Sequence, residues 1–364
     1  MKLLYITSTI SSSGGVPKVL AAKSDYLISK YNYQIAIVYN EYVIKSVFYK
    51  FNSKVKLVNT KLDNSAVSFI IKFREALRNL IESYKPDVVV VCDNGFKGFL
   101  VPLLLKNTIP VVLEIHGSKY EIIQNDFSRW TLLRRKIQLV LKSYLIKKFD
   151  KVVFLNRNSA REWGFESPIV IPNAIRLIEK QQRDKDLQVV VAIGRHSYEK
   201  GLDRLLPIWK EVHTTFPEWV LKVYGQFSEE THFLKKEIIR LGLQNSVELL
   251  EPIHDIEKVY KSASLFVSTS RYEGFGLGIL EAMASGLVVV SYDCPIGPSC
   301  FVENGQNGFL IENGNAESFK IKLLELIQNT ELRNLIGDKA VEKAFDFSED
   351  SIFPLWGFFF KSLC

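Results

Sequence analysis

Apolar residues in this chain form short continuous runs, separated by longer segments in which they recur every three or four positions. The runs at 3–6, 33–38, 55–58, 87–91, 110–115, 151–155 and 169–171 read as strands, and the periodic segments at 17–30, 69–83 and 130–148 read as helices. Val88-Val89-Val90-Val91 has no polar alternation, so it predicts a strand covered on both faces, as in a parallel sheet between helix layers. A second series follows the most polar stretch of the chain, 179–186, which reads as a linker. Its strands are expected at 187–193, 220–224, 247–249, 265–267 and 288–291, and its helices at 202–216, 229–241, 256–262, 278–284 and 317–327. The pattern predicts an α/β protein of two doubly wound units, residues 1–175 and 176–345. Ligands are expected beyond the carboxyl ends of the strands. The aromatic tail carries Phe353, Trp356, Phe358, Phe359 and Phe360, and residues 346–364 are expected to return onto the first unit.

A length of 364 residues fits two domains, and 47% hydrophobic with 24% charged residues is the balance of a folded globular protein. No apolar run approaches the ~18 residues of a membrane span, and the apolar start at residues 1–10 reads as a first buried strand. The cytosol is therefore the expected compartment. Cys92, Cys294, Cys300 and Cys364 are scattered without CxxC spacing, which argues against a zinc site or a disulfide framework. The net charge of +7 points to an anionic partner. Between residues 129 and 151 the sequence places Arg129, Arg134, Arg135, Lys136, Lys142, Lys147, Lys148 and Lys151 against Asp150 alone. Trp130, Leu133, Ile137, Val140, Leu141 and Tyr144 recur there at helical spacing. Such a helix fits an anionic membrane surface, with Arg134, Arg135 and Lys142 facing the lipid; a domain-packing helix with a solvated basic face is the other reading. No recognisable nucleic-acid module accompanies these cations.

Three constellations carry candidate chemistry. Ser11-Ser12-Ser13-Gly14-Gly15 lies between the first strand and first helix, where Gly14 and Gly15 would let backbone amides approach a phosphate, or would simply make a tight turn. The absence of a full GxGxxG argues against a dinucleotide. Gly194-Arg195-His196-Ser197-Tyr198-Glu199-Lys200-Gly201 follows a strand and offers Arg195 and Lys200 either to a pyrophosphate or to solvent. The segment 271–286 runs from a Gly-rich turn into a helix. Glu281 lies in the apolar run Leu280–Ala284, so its carboxylate needs a polar partner, whether sugar hydroxyls or a structural one.

Glu273 and Glu281 are separated by seven residues, which resembles the EX7E signature of retaining glycosyltransferases of family 4. The segment 194–206 resembles that family's GR…KG segment. GGVPKVL from Gly14, IHG from Ile115, VIPNAI from Val170 and ENGQNGFLI from Glu303 follow in the family's order, so the likeness spans residues ~1–345. The resemblance implies a GT-B fold, two Rossmann-like domains facing a cleft, the first binding acceptor and the second the nucleotide sugar. It implies that Glu281 binds the donor ribose and that Glu273 holds donor-sugar hydroxyls beside Gly274, Phe275, Gly276 and Leu277. Arg195 and Lys200 would neutralise the diphosphate, Gly14 and Gly15 would approach it, and His116 would face the reacting sugar. No metal and no cofactor is expected. Asp184-Lys185-Asp186, formally a DxD, stands in the polar linker, while Arg195 and Lys200 already supply positive charge. The family's Gly after its base-recognition strand is replaced here by Leu249-Leu250-Glu251-Pro252-Ile253-His254. Asp293-Cys294-Pro295-Ile296-Gly297-Pro298 resembles a segment of polysaccharide-assembly members, which mostly use UDP-sugars. The implied partners are a UDP-sugar donor, a polyprenyl-diphosphate-linked saccharide acceptor and the inner face of a bacterial membrane, with no nucleic acid. A non-catalytic sugar-nucleotide-binding subunit and a nucleotide-sugar epimerase on the same fold are the competing readings.

Overall fold

The computed structural model describes residues 1–42, 46–62, 66–105, 109–121, 129–177 and 187–363. The expected linker and its DxD lie outside the described residues. The chain forms two compact units, Met1–Asn173 with Ile352–Cys364, and Ala174–Ser351.

In the first unit seven parallel strands, β1 (Lys2–Ile6), β2 (Gln34–Tyr39), β3 (Lys56–Asn59), β4 (Val88–Val91), β5 (Val111–Ile115), β6 (Lys151–Phe154) and β7 (Ile169–Val170), stand in the order β3-β2-β1-β4-β5-β6-β7. The helices of this half are α1 (Gly15–Tyr31), α2 (Ala66–Tyr84), α3 (Phe96–Phe99), α4 (Val101–Leu104), α5 (Arg129–Leu145) and α6 (Arg157–Glu162). The chain builds outward from β1 to β3, then crosses back to set β4 beside β1, so the loops after those two strands leave in divergent directions. All four valines of β4 are fully buried, which is why that run carries no alternation.

The second unit repeats the plan with six parallel strands: β8 (Val189–Ile193), β9 (Val220–Tyr224), β10 (Val247–Leu250), β11 (Leu265–Ser268), β12 (Val288–Asp293) and β13 (Phe309–Glu312). Their order is β10-β9-β8-β11-β12-β13, with the switch between β8 and β11. Helices α7 (Leu202–Thr215), α8 (Glu230–Leu241), α9 (Ile256–Lys261), α10 (Leu277–Ala284), α11 (Ala316–Gln328) and α12 (Thr330–Ala344) accompany them. Trp209, Leu221, Leu265, Val290, Phe319 and Leu323 form part of one continuous core between sheet and helices.

The last helix, α13 (Glu349–Lys361), begins in the second unit and ends in the first. Residues 346–351, expected with the tail on the first unit, stay with the second because Ile175 bonds Phe347 and Glu349 through the backbone. From Ile352 onward the helix packs on α1: Phe353 meets Tyr26 at 5.3 Å between ring centroids.

Candidate active site

In the second unit the loops leaving β8, β11 and β12, neighbours in the sheet, carry the predicted residues to one end of it. Lys200, in the helical turn Tyr198–Lys200, donates to both oxygens of Glu273 at 2.7 and 2.8 Å. Ser270 Oγ adds a third contact to Glu273 at 2.7 Å, so two donors fix the carboxylate's direction. The β12 loop closes over the same residue: a Cβ on Gly297 would lie 2.7 Å from Glu273 Cβ, so only glycine fits. Glu281 stands on α10 and accepts from Tyr260 Oη at 3.1 Å. That is the polar partner its apolar surroundings require. Gly276 caps the start of α10 with no side-chain bond and no acidic residue in the first turn, which leaves that helix end suited to an anion.

Arg195 is half-exposed and paired at 2.6 Å with Glu199 of its own loop. The structure thus brings Lys200 and Glu273 together and sets Arg195 and Glu281 with separate partners. Arg271 and Asp203 hold the frame, and sequence reasoning gave them no role. The guanidinium forks onto Asp203 with two bonds of 2.7 Å, donates to Tyr198 O at 2.8 Å and lies over the Tyr198 ring. Burial alone would raise the Asp203 pKa, but the Arg271 bonds more than offset it and hold it below the usual range. Gly201, at φ 61°, lets the loop pass within reach of the β11 end, where Thr269 Oγ1 donates to its carbonyl at 2.8 Å. A Cβ there would sit 2.1 Å from Thr269 O.

In the first unit Gly14 caps α1, and the preceding turn is held by Glu41, at the end of β2. Its carboxylate accepts from the amides of Ile10 and Ser11 at 3.1 Å and from Ser11 Oγ at 2.7 Å, with Thr9 Oγ1 also bonded. Glu41 is a third residue with no sequence signal, since 30 positions separate it from Ser11. His116 follows β5, its amide donating to Asn94 Oδ1 at 2.6 Å. Its Nε2 lies 3.2 Å from Oε2 of Glu114, whose Oε1 receives Lys23 Nζ at 2.5 Å. Cys92, Glu114 and His116 bring donor atoms within 4.8 Å of one another. Lys23 already balances that carboxylate, and burial pushes the Cys92 thiol up, so the set is poorly matched to a cation.

On α5 the exposed side chains include Trp130, Leu133, Ile137, Val140 and Tyr144, beside exposed Arg129, Arg134 and Lys136. Arg135 is half-buried. Lys142, expected among the membrane-facing cations, is instead buried: it donates to Asn94 O at 2.6 Å and sits 5.0 Å from the Phe99 ring centroid. Burial draws its pKa down, with Asp93 and Glu121 acting against that. Among the described residues no helix is long and apolar enough to cross a membrane.

The family described as glycosyl transferases, group 1, matches residues 174–343, the stretch holding Lys200, Glu273 and Glu281. The amylovoran biosynthesis glycosyltransferase AmsD of Erwinia amylovora is 27% identical over 365 residues, covering 98% of each chain. Residues 174–343 of this chain belong to the group 1 glycosyltransferases. Its two α/β units have the GT-B fold, as in two solved proteins. A Staphylococcus aureus TarM variant, in complex with Fondaparinux, alpha-GlcNAc-glycerol and UDP, is 17% identical, covers 99% of both chains and has a TM-score of 0.83. Anabaena HepE, in complex with UDP and glucose, is 20% identical, covers 100% of both and has a TM-score of 0.76. For this glycosyltransferase the signature carboxylates were legible because they stand on one turn and helix. Their supports, Ser270 apart, come from distant parts of the chain.

Proposed function

We propose that this glycosyltransferase is a retaining enzyme that moves a hexose or N-acetylhexosamine from a UDP-sugar to a lipid-linked saccharide, in assembly of a bacterial surface polysaccharide. The observation that carries this reading is the Lys200–Glu273 contact, made by loops from neighbouring strands in the same unit as the α10 N-terminus. Glu273 would accept donor-sugar hydroxyls, Glu281 those of the ribose, and Lys200 with Arg195 the diphosphate. As the glycosidic bond breaks, negative charge grows on the diphosphate and positive charge on the ring. Fixed cations and helix-end amides favour the transition state over the ground state. Those cations supply the charge a divalent metal would bring, so the transfer is proposed to be metal-independent. His116 would face the ring, and the leaving phosphate would take the acceptor's proton in a front-face attack. UDP in the TarM and HepE complexes, and the amylovoran role in AmsD's name, support the donor and the pathway class. The exposed apolar and basic face of α5 supports attachment to the inner face of the cell membrane, where a polyprenyl-linked acceptor is found.

The test is UDP release from a panel of UDP-sugars by purified protein with bacterial membrane extract, with and without EDTA. Release from one donor that resists EDTA and falls at least ~100-fold in Glu273→Ala is the expected result. Binding of UDP without release from any donor would replace this reading with the non-catalytic subunit. EDTA-sensitive release would overturn its metal independence.

A further inference from the structure

Glu114 lies in the interior of a sheet whose other buried strand residues are uncharged, and its side chain is 2% exposed. A buried ion pair is commonly no more stabilising than apolar residues of the same volume, so the pair calls for another explanation. Its two oxygens are divided. Lys23, itself 1% exposed, takes Oε1, and Oε2 stands 3.2 Å from Nε2 of His116, which is buried and makes no hydrogen bond among the described residues. Glu114 and His116 are two residues apart at the end of an extended strand, which sets their side chains to the same face. Asn94 clamps the backbone around both, donating to Glu114 O at 2.7 Å and accepting from the His116 amide. The rings of Trp356, from α13, and Tyr5 lie 3.9 and 5.1 Å from Lys23 Nζ and cover the ammonium.

We infer that Glu114 is a positioning residue for His116: its Oε2 is the acceptor set to take the Nε2 proton as the site tightens on substrate, which leaves Nδ1 as the nitrogen available to it. Lys23 holds the carboxylate in place, so the imidazole is fixed in tautomer and angle by a chain that starts on the last helix. The inference rests on the proposed role of His116 at the donor sugar. Burial would raise the Glu114 pKa, yet Lys23 and then His116 more than offset it and hold it at about 2, consistent with a permanent carboxylate.

The experiment compares kcat and donor KM, on the UDP-sugar that releases UDP, for Glu114→Gln, His116→Ala, their combination and Lys23→Met with Glu114→Gln. Glu114→Gln is expected to lower kcat about tenfold or more and leave donor KM within about twofold. In the His116→Ala background the same change should cost nothing further. The Lys23→Met, Glu114→Gln variant leaves no unpaired ammonium; it should melt near the parent and keep the kcat loss. Additive losses, or wild-type kcat in that neutral variant, would make Glu114 a structural ion pair and overturn the inference. Should His116→Ala itself leave kcat unchanged, the reading of His116 falls and takes this inference with it. If only Glu114→Gln is without effect, the inference alone falls.

Discussion

His196 sits inside the GR…KG segment yet takes no part in its charge chemistry. It is fully buried, stacked on Phe227 and 3.2 Å from Thr231 Oγ1 through Nδ1. Burial, with Lys235 adding to it, holds its pKa down at about 4, against 6.5 for a free imidazole. The unfolded chain therefore takes up a proton that the folded chain refuses between those values. Stability is unaffected above about pH 6.5, falls as pH drops from there towards about 4, and levels below. Glu114 acts in a lower window: its contribution is complete above about 4.5 and is lost as pH falls through about 2. Melting temperatures followed from pH 7.5 to 4 should decline in wild type, and His196→Phe should flatten that decline. Arg271→Lys cannot fork onto Asp203 and should lose about 1–3 kcal/mol of stability, read as a shifted urea midpoint. These residues mark where legibility ended. Lys200, Glu273 and Glu281 were readable because local motifs carry them. Arg271 with Asp203, Glu41 with Ser11, and Lys23 with Glu114 are joined across 68, 30 and 91 positions, and no spacing along the chain encodes such meetings.

Most elements were legible because a continuous apolar run fits a strand buried on both faces and a 3.6-residue period fits a helix with one buried side. The unread ones had weaker signals. β13 is four residues at a sheet edge, following a turn whose Gly and Asn residues dominate the local pattern. α12 combines small and charged residues with few large apolar ones, and α13 is apolar around much of its circumference, with Pro354 inside it. On α5 the periodicity identified the helix but not which cation turns inward: Lys142 is claimed by Asn94 and Phe99, residues far away in sequence. Two outcomes follow for this helix. Neutralising Arg134 and Lys136 should weaken binding to anionic vesicles by about 1 kcal/mol per charge, most visibly at low salt. Unchanged binding would remove α5 from membrane attachment. Lys142→Met should leave vesicle binding alone and change the melting temperature.

At the level of the whole chain, two units with separate cores predict departure from a single two-state transition. Calorimetry should resolve two endotherms. UDP should raise only the one belonging to residues 174–351, because Lys200, Glu273 and Glu281 all lie there. An equal rise of both would show that nucleotide engages the first unit as strongly. The two-unit plan followed from the repeated strand and helix pattern. The second crossing of the chain, after Ser351, depends on backbone bonds from Ile175 to Phe347 and Glu349, which leave no trace in composition.

The path of α13 has a consequence for synthesis on the ribosome. The first unit begins to emerge first, but its Phe353 and Trp356 come from a helix made after the whole of the second unit. At translation rates of roughly 5–20 residues per second, the earlier half waits on the order of 10–40 seconds for its last piece. During that interval the Lys23 ammonium lacks its indole cover and the apolar side of α1 is open to chaperones. The contiguous unit, made later, can finish earlier. A message truncated before codon 352 would therefore injure the half encoded farthest from the break.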